Sequence, residues 1–225
     1  MLDARLQAVA DFVPHDCSVA DIGTDHAYLA IELYRANENR KVIAADLNAG
    51  PCEAARRTIR EAGFEDNIEV RQGDGLSPLT PSEVETVCIA GMGGKLEADI
   101  LEASPNVFAK LKCVVLQPQN GQEYLRQWLY EHDWHIEDEQ LVKADGRLYQ
   151  IIKAAPGTAP MPLEAELILG PVLLKKQPEL FREYVQSNID VLSKIAVELQ
   201  RGGANTLDKL QEYQRRIKLL EEYLS

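Results

Sequence analysis

The stretch ADIGTDHAYL, Ala20 to Leu29, puts two carboxylates and an imidazole (Asp21, Asp25 and His26) around Gly23 at the end of an apolar run. Such a run closing on Asp-Ile-Gly reads as a strand feeding a ligand-binding turn, because ligands in open α/β sheets sit beyond the carboxyl ends of the strands. The residues after Gly23 decide which ligand suits the turn. A dinucleotide rests its diphosphate on the free N–H groups of a helix N-terminus and asks for GxGxxG. That pattern needs glycine where Asp25 stands and glycine or alanine where Tyr28 stands, and a carboxylate beside a diphosphate is repulsive. The turn suits a ligand that is cationic at one end.

Three more such turns lie further along the chain. Asp46, with Leu47 and Asn48 after it, lies 23 residues beyond Gly23, about the spacing at which an acid meets ribose hydroxyls. Gly73-Asp74-Gly75 closes a third apolar run; Asp74 can accept from an adenine amine while backbone approaches the ring. Ala90-Gly91-Met92-Gly93-Gly94 closes a fourth, with glycines where side chains would obstruct a transfer point. An adenosine bearing a sulfonium, an ammonium and a carboxylate matches all four, and that molecule is S-adenosylmethionine. Thr24 and His26 complete the expected cofactor set. Taken singly, Asp21 is also a plausible helix cap, and GMGG a tight strand-to-helix turn. His26 either touches the methionine part or substrate, or caps the next helix.

These turns need strands and helices to hold them. Ser18–Gly23, Lys41–Asn48, Ile68–Gly73, Glu85–Ala90 and Lys112–Gln117 read as short apolar strands. Helix-forming segments lie between and after them, at Tyr28–Asn37, Pro51–Ala62, Gly94–Ala103 and Gln122–His132. That order implies a mostly parallel sheet covered on both faces. Trp134–Val142 and Arg147–Ala154, joined across Ala144-Asp145-Gly146, bring the count to seven strands with a closing hairpin. Pro156, Pro160 and Pro162 end this first domain, expected over residues 1–156. In residues 157–225, Pro178 suits a first helical position. Apolar stripes come next at Phe181, Val185, Leu192, Ile195 and Leu199, with Ile189 helping, then at Leu207, Leu210, Ile217, Leu220 and Leu224, with Tyr213 between. With Gly202-Gly203-Ala204-Asn205 between them, the stripes predict an antiparallel, coiled-coil-like helical hairpin.

The formal charge of −12 argues against a general nucleic-acid coat, but it is uneven: residues 157–225 hold 9 Lys+Arg against 10 Asp+Glu. Phosphate contacts are therefore expected there, at Lys175, Lys176, Arg182, Arg201, Arg215, Arg216 and Lys218, against the plainer account of a solvated helix face with interleaved acids such as Glu212, Glu221 and Glu222. No run of about 18 apolar residues spans a membrane, and the N-terminus lacks a signal-peptide core. Cys17, Cys52, Cys88 and Cys113 form no CxxC pair and read as reduced thiols of a cytoplasmic protein. His132 and His135 lack the further ligands of a tetrahedral metal site.

ADIGTDHAYLAIEL, VIAADLNAGP, GDGL, IAGMGG, LQPQNGQEYLRQWLYEHDW and DGRLYQI together resemble the TrmK family of bacterial tRNA methyltransferases. The resemblance runs over nearly the whole chain. It implies a Rossmann-like class I methyltransferase domain followed by a helical hairpin, with tRNA as partner. It also implies methylation of ring nitrogen 1 of the adenine at tRNA position 22. Where the family pattern has Gln-Pro-Asn, this chain has Gln117-Pro118-Gln119, with Asn120 one place later.

Nitrogen 1 already carries a lone pair, so no base is required, and no Ser-His-Asp set is found. The enzyme has to align nitrogen, methyl and sulfur and exclude water. The pairing edge must first be exposed by flipping the base. Arg5, on an amphipathic N-terminal stretch, together with Tyr28, Gln117, Asn120 and Tyr149, is a candidate contact to that substrate. The expectation is a monomeric S-adenosylmethionine-dependent tRNA (adenine-N1)-methyltransferase without metal or membrane. The alternatives are the same scaffold on another substrate, or a binding module that senses the cofactor.

Overall fold

The computed structural model describes residues 2–201 and 207–224. The chain divides into two compact units, Met1–Pro162 and Leu163–Ser225.

In the first unit, helix α1 (Ala4–Phe12) is capped by Asp3, whose carboxylate accepts from the Leu6 N–H at 2.7 Å. Then alternate β1 (Val19–Ile22), α2 (Tyr28–Ala36), β2 (Val42–Asp46), α3 (Ala49–Glu61), β3 (Ile68–Gln72) and β4 (Thr86–Met92). They are succeeded by α4 (Gly94–Glu102), α5 (Pro105–Phe108), β5 (Cys113–Pro118), α6 (Gln122–Glu131), β6 (Trp134–Ala144) and β7 (Arg147–Pro156). The seven strands form one sheet in the order β3-β2-β1-β4-β5-β7-β6. β7 runs antiparallel to β5 and β6, and all other pairs are parallel. The strand order therefore reverses between β1 and β4, which opens a crevice at their carboxyl ends.

Burial matches that order. Every residue of β1 and β5 is buried, as expected of strands covered on both faces. The edge strand β6 sets buried positions between mostly half-buried ones and carries a register shift between Ile136 and Asp138. Asp145 and Gly146, at φ 48° and 74°, form the two-residue turn from β6 to β7, the conformation that suits a tight hairpin. α1 lies on β5, β6 and β7, with Ala8 and Val9 in the core. α6 is fixed to β6 by an ion pair with no solvent exposure, Arg126 Nε to Glu139 Oε1 at 2.9 Å.

The second unit comprises α7 (Glu164–Leu169), α8 (Pro171–Lys176), α9 (Phe181–Gln200) and α10 (Leu207–Glu221). Pro178 does not start a helix. Gln177 ends α8 in the left-handed region at φ 44°, and α9 begins only at Phe181, whose N–H meets the Pro178 carbonyl. α9 and α10 pack together, and the Arg182 guanidinium donates to the Leu224 carbonyl, so the start of α9 lies beside the end of α10. Phe181, Val185 and Ile189 of the expected stripe are buried, joined by Tyr184 and Ala196, while Leu192, Ile195 and Leu199 are half-buried. The expected Gly202–Asn205 stop lies outside the described residues.

Candidate active site

The four turns converge on the crevice. After β1, the Gly23 and Thr24 N–H groups both donate to the Ala45 carbonyl, at 2.8 and 3.1 Å, which ties this turn to β2. Asp21 is 5% exposed and accepts from the Thr24 hydroxyl at 2.7 Å and from the Ala30 backbone N–H. Its carboxylate thus caps α2 from outside the helix, so the capping reading of Asp21 describes part of its work. Burial raises its pKa to about 6, and the nearby Asp46 charge adds to the rise. Asp25 and Ala27 hold positive φ, 36° and 57°. Non-glycine residues in that region cost roughly 1–3 kcal/mol and cluster at functional sites. They project the His26 ring onto Tyr28, centroids 5.6 Å apart, with Asp25 Oδ2 3.7 Å from His26 Nε2.

Two adjoining cavities result. One, of about 330 Å³, is lined by Asp21, Gly23, Thr24, Asp25, His26, Ala90 and Gly91, and by Arg5 and Tyr28. The other, of about 210 Å³, is lined by Asp46, Leu47, Asn48, Gly73, Asp74, Gly75 and Met92. Gly23 borders both. The Met92 methyl sits only 2.3 Å from where a Cβ on Gly23 would be, so this thioether marks the division between them. The structure thereby brings the whole expected cofactor set around one divided cleft. Leu96 and Ile100 of α4 were missed; they line the second cavity beside Leu47 and give it an apolar wall. Their spacing of four on a helix was the available signal.

The β4 and β5 turns are joined backbone to backbone. Gln119 N–H donates to the Met92 carbonyl at 2.7 Å, and Gly94 N–H to the Asn120 carbonyl at 2.8 Å. A Cβ on Gly94 would lie 2.5 Å from the Gly121 carbonyl oxygen, so only glycine permits that approach. The β4–β5 register skips Gly91, which holds φ 82°. Around Gly91 stand Arg5 Nη1 and Gln119 Nε2, 3.7 and 3.9 Å from a Cβ built there, while Asn120 Oδ1 lies 3.1 Å from the Gly93 equivalent. Arg5 donates to Gln117 Oε1 at 2.7 Å and lies over the Tyr149 ring. Arg5, Gln117 and Tyr149 are thus assembled together, with Tyr28, 53% exposed, on the cofactor cavity's rim.

A family model described as tRNA (adenine(22)-N(1))-methyltransferase, TrmK, matches residues 19–222. The chain belongs to the TrmK family. The Bacillus subtilis (strain 168) tRNA (adenine(22)-N(1))-methyltransferase is 32% identical over 99% of this chain and 97% of its own length. The crystal structure of the B. subtilis m1A22 tRNA methyltransferase TrmK superposes with TM-score 0.90, covering 100% of this chain and 99% of that one. M. capricolum TrmK, solved with S-adenosyl-homocysteine, gives TM-score 0.83 at 27% identity, covering 100% and 98%. Streptococcus pneumoniae Sp1610, solved in complex with S-adenosyl-L-methionine, gives 0.86 at 31% identity over both whole chains.

In the second unit, the basic residues expected to meet phosphate differ in their surroundings. Arg215 pairs with Glu164 at 2.7 Å and Glu212 at 2.8 Å, and Arg216 reaches the same two carboxylates at 3.0 Å. Arg182 donates to the Leu224 carbonyl. Lys175 and Lys176 occupy the last turn of α8 and are exposed or partly so. Among the described residues no group of three or more His, Cys, Asp or Glu could hold a metal ion, and no helix is long and apolar enough to cross a membrane. His132 stacks on Trp128 at 4.1 Å, and His135 Nδ1 lies 3.3 Å from the Gly157 carbonyl.

Proposed function

We propose that this chain methylates ring nitrogen 1 of adenine 22 in tRNA with S-adenosylmethionine as donor, using the divided cleft between β1 and β4. The observation that carries the reading is the pairing of an acid-lined cavity with an apolar one at Gly23 and Met92. A ligand with a cationic amino-acid end and a flat, largely apolar base fits that pair; a diphosphate does not. S-adenosylmethionine, when bound, supplies a methyl group on a sulfonium, open to in-line attack by a nitrogen lone pair.

The residues then have distinct tasks. Asp21 and Asp25 give the first cavity the negative charge that holds an ammonium. Asp46 accepts from ribose hydroxyls, and Asp74 from an adenine amine between the apolar side chains of Leu47, Leu96 and Ile100. The Gly91–Gly94 turn presents backbone at the transfer point and leaves room for a base edge. Gln117, Asn120 and Tyr149 form the wall on the substrate side. Because nitrogen 1 needs no deprotonation, these residues act by orientation and water exclusion, worth several kcal/mol and up to roughly 7–11 in the best intramolecular cases. Lys175, Lys176 and Arg182 are candidates for RNA phosphates, and Arg215 and Arg216 would have to exchange their carboxylate partners to join them.

The test is transfer of labelled methyl from S-adenosylmethionine to an unmodified tRNA transcript and to one with guanine at position 22. Label in the first alone supports enzyme class and position together. Label in both removes the position, and label in neither with cofactor bound removes the activity.

A further inference from the structure

Arg5 makes an unusual set of contacts for a residue in the first turn of a surface helix. Its side chain is only 20% exposed. Nη1 donates to Gln117 Oε1 at 2.7 Å, the guanidinium carbon lies 5.7 Å from the Tyr149 ring centroid, and Nη2 is 3.7 Å from Asp3 Oδ2. The same Nη1 lies 3.7 Å from the position a Cβ on Gly91 would take. Gln117 is wholly buried at the end of β5, and its amide nitrogen has no hydrogen-bond partner. Since guanidinium has no acceptor, the Gln117 atom facing it must be the oxygen.

These contacts describe a small site with its own chemistry. It offers one buried carbonyl oxygen, one aromatic face, a nearby carboxylate and a wall of bare backbone. Its present occupant is planar, cationic and donates N–H in its own plane. Adenine is planar and donates N–H from its exocyclic amine, on the carbon next to nitrogen 1. Methylation makes it cationic: the nitrogen lone pair forms the new bond to carbon while the carbon–sulfur electron pair returns to sulfur. A site that holds a guanidinium against a ring is therefore also matched to the charge that the base acquires.

We infer that Arg5 is a placeholder for the target adenine, and that Gln117 Oε1 and the Tyr149 face receive its amine and ring once Arg5 withdraws. This rests on the methyltransferase reading of the cleft. It adds a specificity element, because guanine would bring a carbonyl oxygen against Gln117 Oε1. It also adds a contact that competes with the base, since the site is open only in the fraction of molecules whose Arg5 has turned away.

The experiment uses the full-length protein, cofactor-free tRNA titrations, and methyl transfer to transcripts carrying adenine or unsubstituted purine at position 22. Arg5→Ala is expected to bind the adenine transcript about tenfold more tightly than wild type without cofactor, the gain from removing a charged hydrogen bond that the base must displace. Unchanged or weaker binding would make Arg5 a brace for α1 and overturn the inference. Gln117→Leu is expected to reduce kcat/KM for adenine about a hundredfold and for purine only a fewfold, with S-adenosylmethionine affinity within twofold of wild type. Equal losses on both transcripts, or none, would overturn the assignment of Gln117. A wild type that binds cofactor and methylates neither transcript would remove the functional reading and this inference with it.

Discussion

Replacing Asp21 with asparagine should make the protein more stable and less able to bind its cofactor. The Asp21 carboxyl titrates at about 6 in the folded protein against 3.8 as a free side chain. At pH 7 that difference corresponds to about 3 kcal/mol of folding free energy lost to burying the charge. A raised acid has a definite sign: the penalty is complete above the folded pKa and fades as pH falls towards the unfolded one. Asparagine carries no charge and keeps an oxygen for the Ala30 N–H. The substitution should therefore stabilise by about 2–3 kcal/mol at pH 7, or roughly 5–10 °C in Tm for a chain of this size. The gain should shrink to nothing near pH 4. S-adenosylmethionine should bind the variant about 10–100-fold more weakly, the cost of losing a charged hydrogen bond to an ammonium. In wild type the same affinity should fall as pH drops through 6, and in the variant it should stay flat. Thermal melts from pH 4 to 8 with calorimetric titrations at each pH measure all of this. A variant that is less stable at pH 7, or a Tm difference that ignores pH, would refute the reasoning.

Gly91→Ala and Gly94→Ala separate strain from collision. The first meets nothing closer than 3.7 Å but must hold φ 82°, so it should cost about 1–2 kcal/mol in denaturant melts and reduce kcat. The second places a methyl group 2.5 Å from a backbone oxygen and should separate the β4 and β5 turns, with a larger loss of both stability and activity. Arg126→Ala should destabilise by about 3–5 kcal/mol by removing one side of a fully buried ion pair, whereas Arg126→Met with Glu139→Leu should recover most of that in urea titrations. Asp74→Asn should raise the dissociation constant for S-adenosylmethionine about tenfold without changing Tm, the loss of one charged acceptor at a solvent-facing turn.

The sheet and its turns were legible because each strand ends in chemistry that only a turn can hold. Glycine and carboxylate recur at Asp21–Gly23, Asp46, Gly73–Gly75 and Gly91–Gly94, and periodicity separates strands from the helices between them. The Asp145-Gly146 hairpin was equally readable, since that pair favours positive φ. Other features were not. Pro178 looks like a helix start in sequence, but Gln177 turns left-handed and delays α9 to Phe181. α7 and α8 are six residues each, too short to show a periodic stripe beside the prolines that precede them. Glu212, three and four residues from Arg215 and Arg216, is a partner their spacing allows, whereas their shared pairing with Glu164, 51 residues from Arg215, comes from the fold. Arg5 belonged to an amphipathic stretch in sequence, while its contact with Gln117, 112 residues distant, is a product of the fold alone.

The register shift in β6 has a bearing on the exposed border of the sheet. At 11 residues, β6 is a long strand, and it lies at one end of the sheet. An uninterrupted edge of that length is a template on which another copy could add a strand. The irregularity between Ile136 and Asp138 breaks the regular spacing of the ladder, and the charged Glu137, paired with Lys153 at 3.3 Å, stands at the same place. At the opposite edge, β3 carries Glu69 and Arg71, locked together at 2.7 Å. Both borders of the sheet are thus guarded against self-propagating β-assembly, one by a kink with charge and the other by an ion pair.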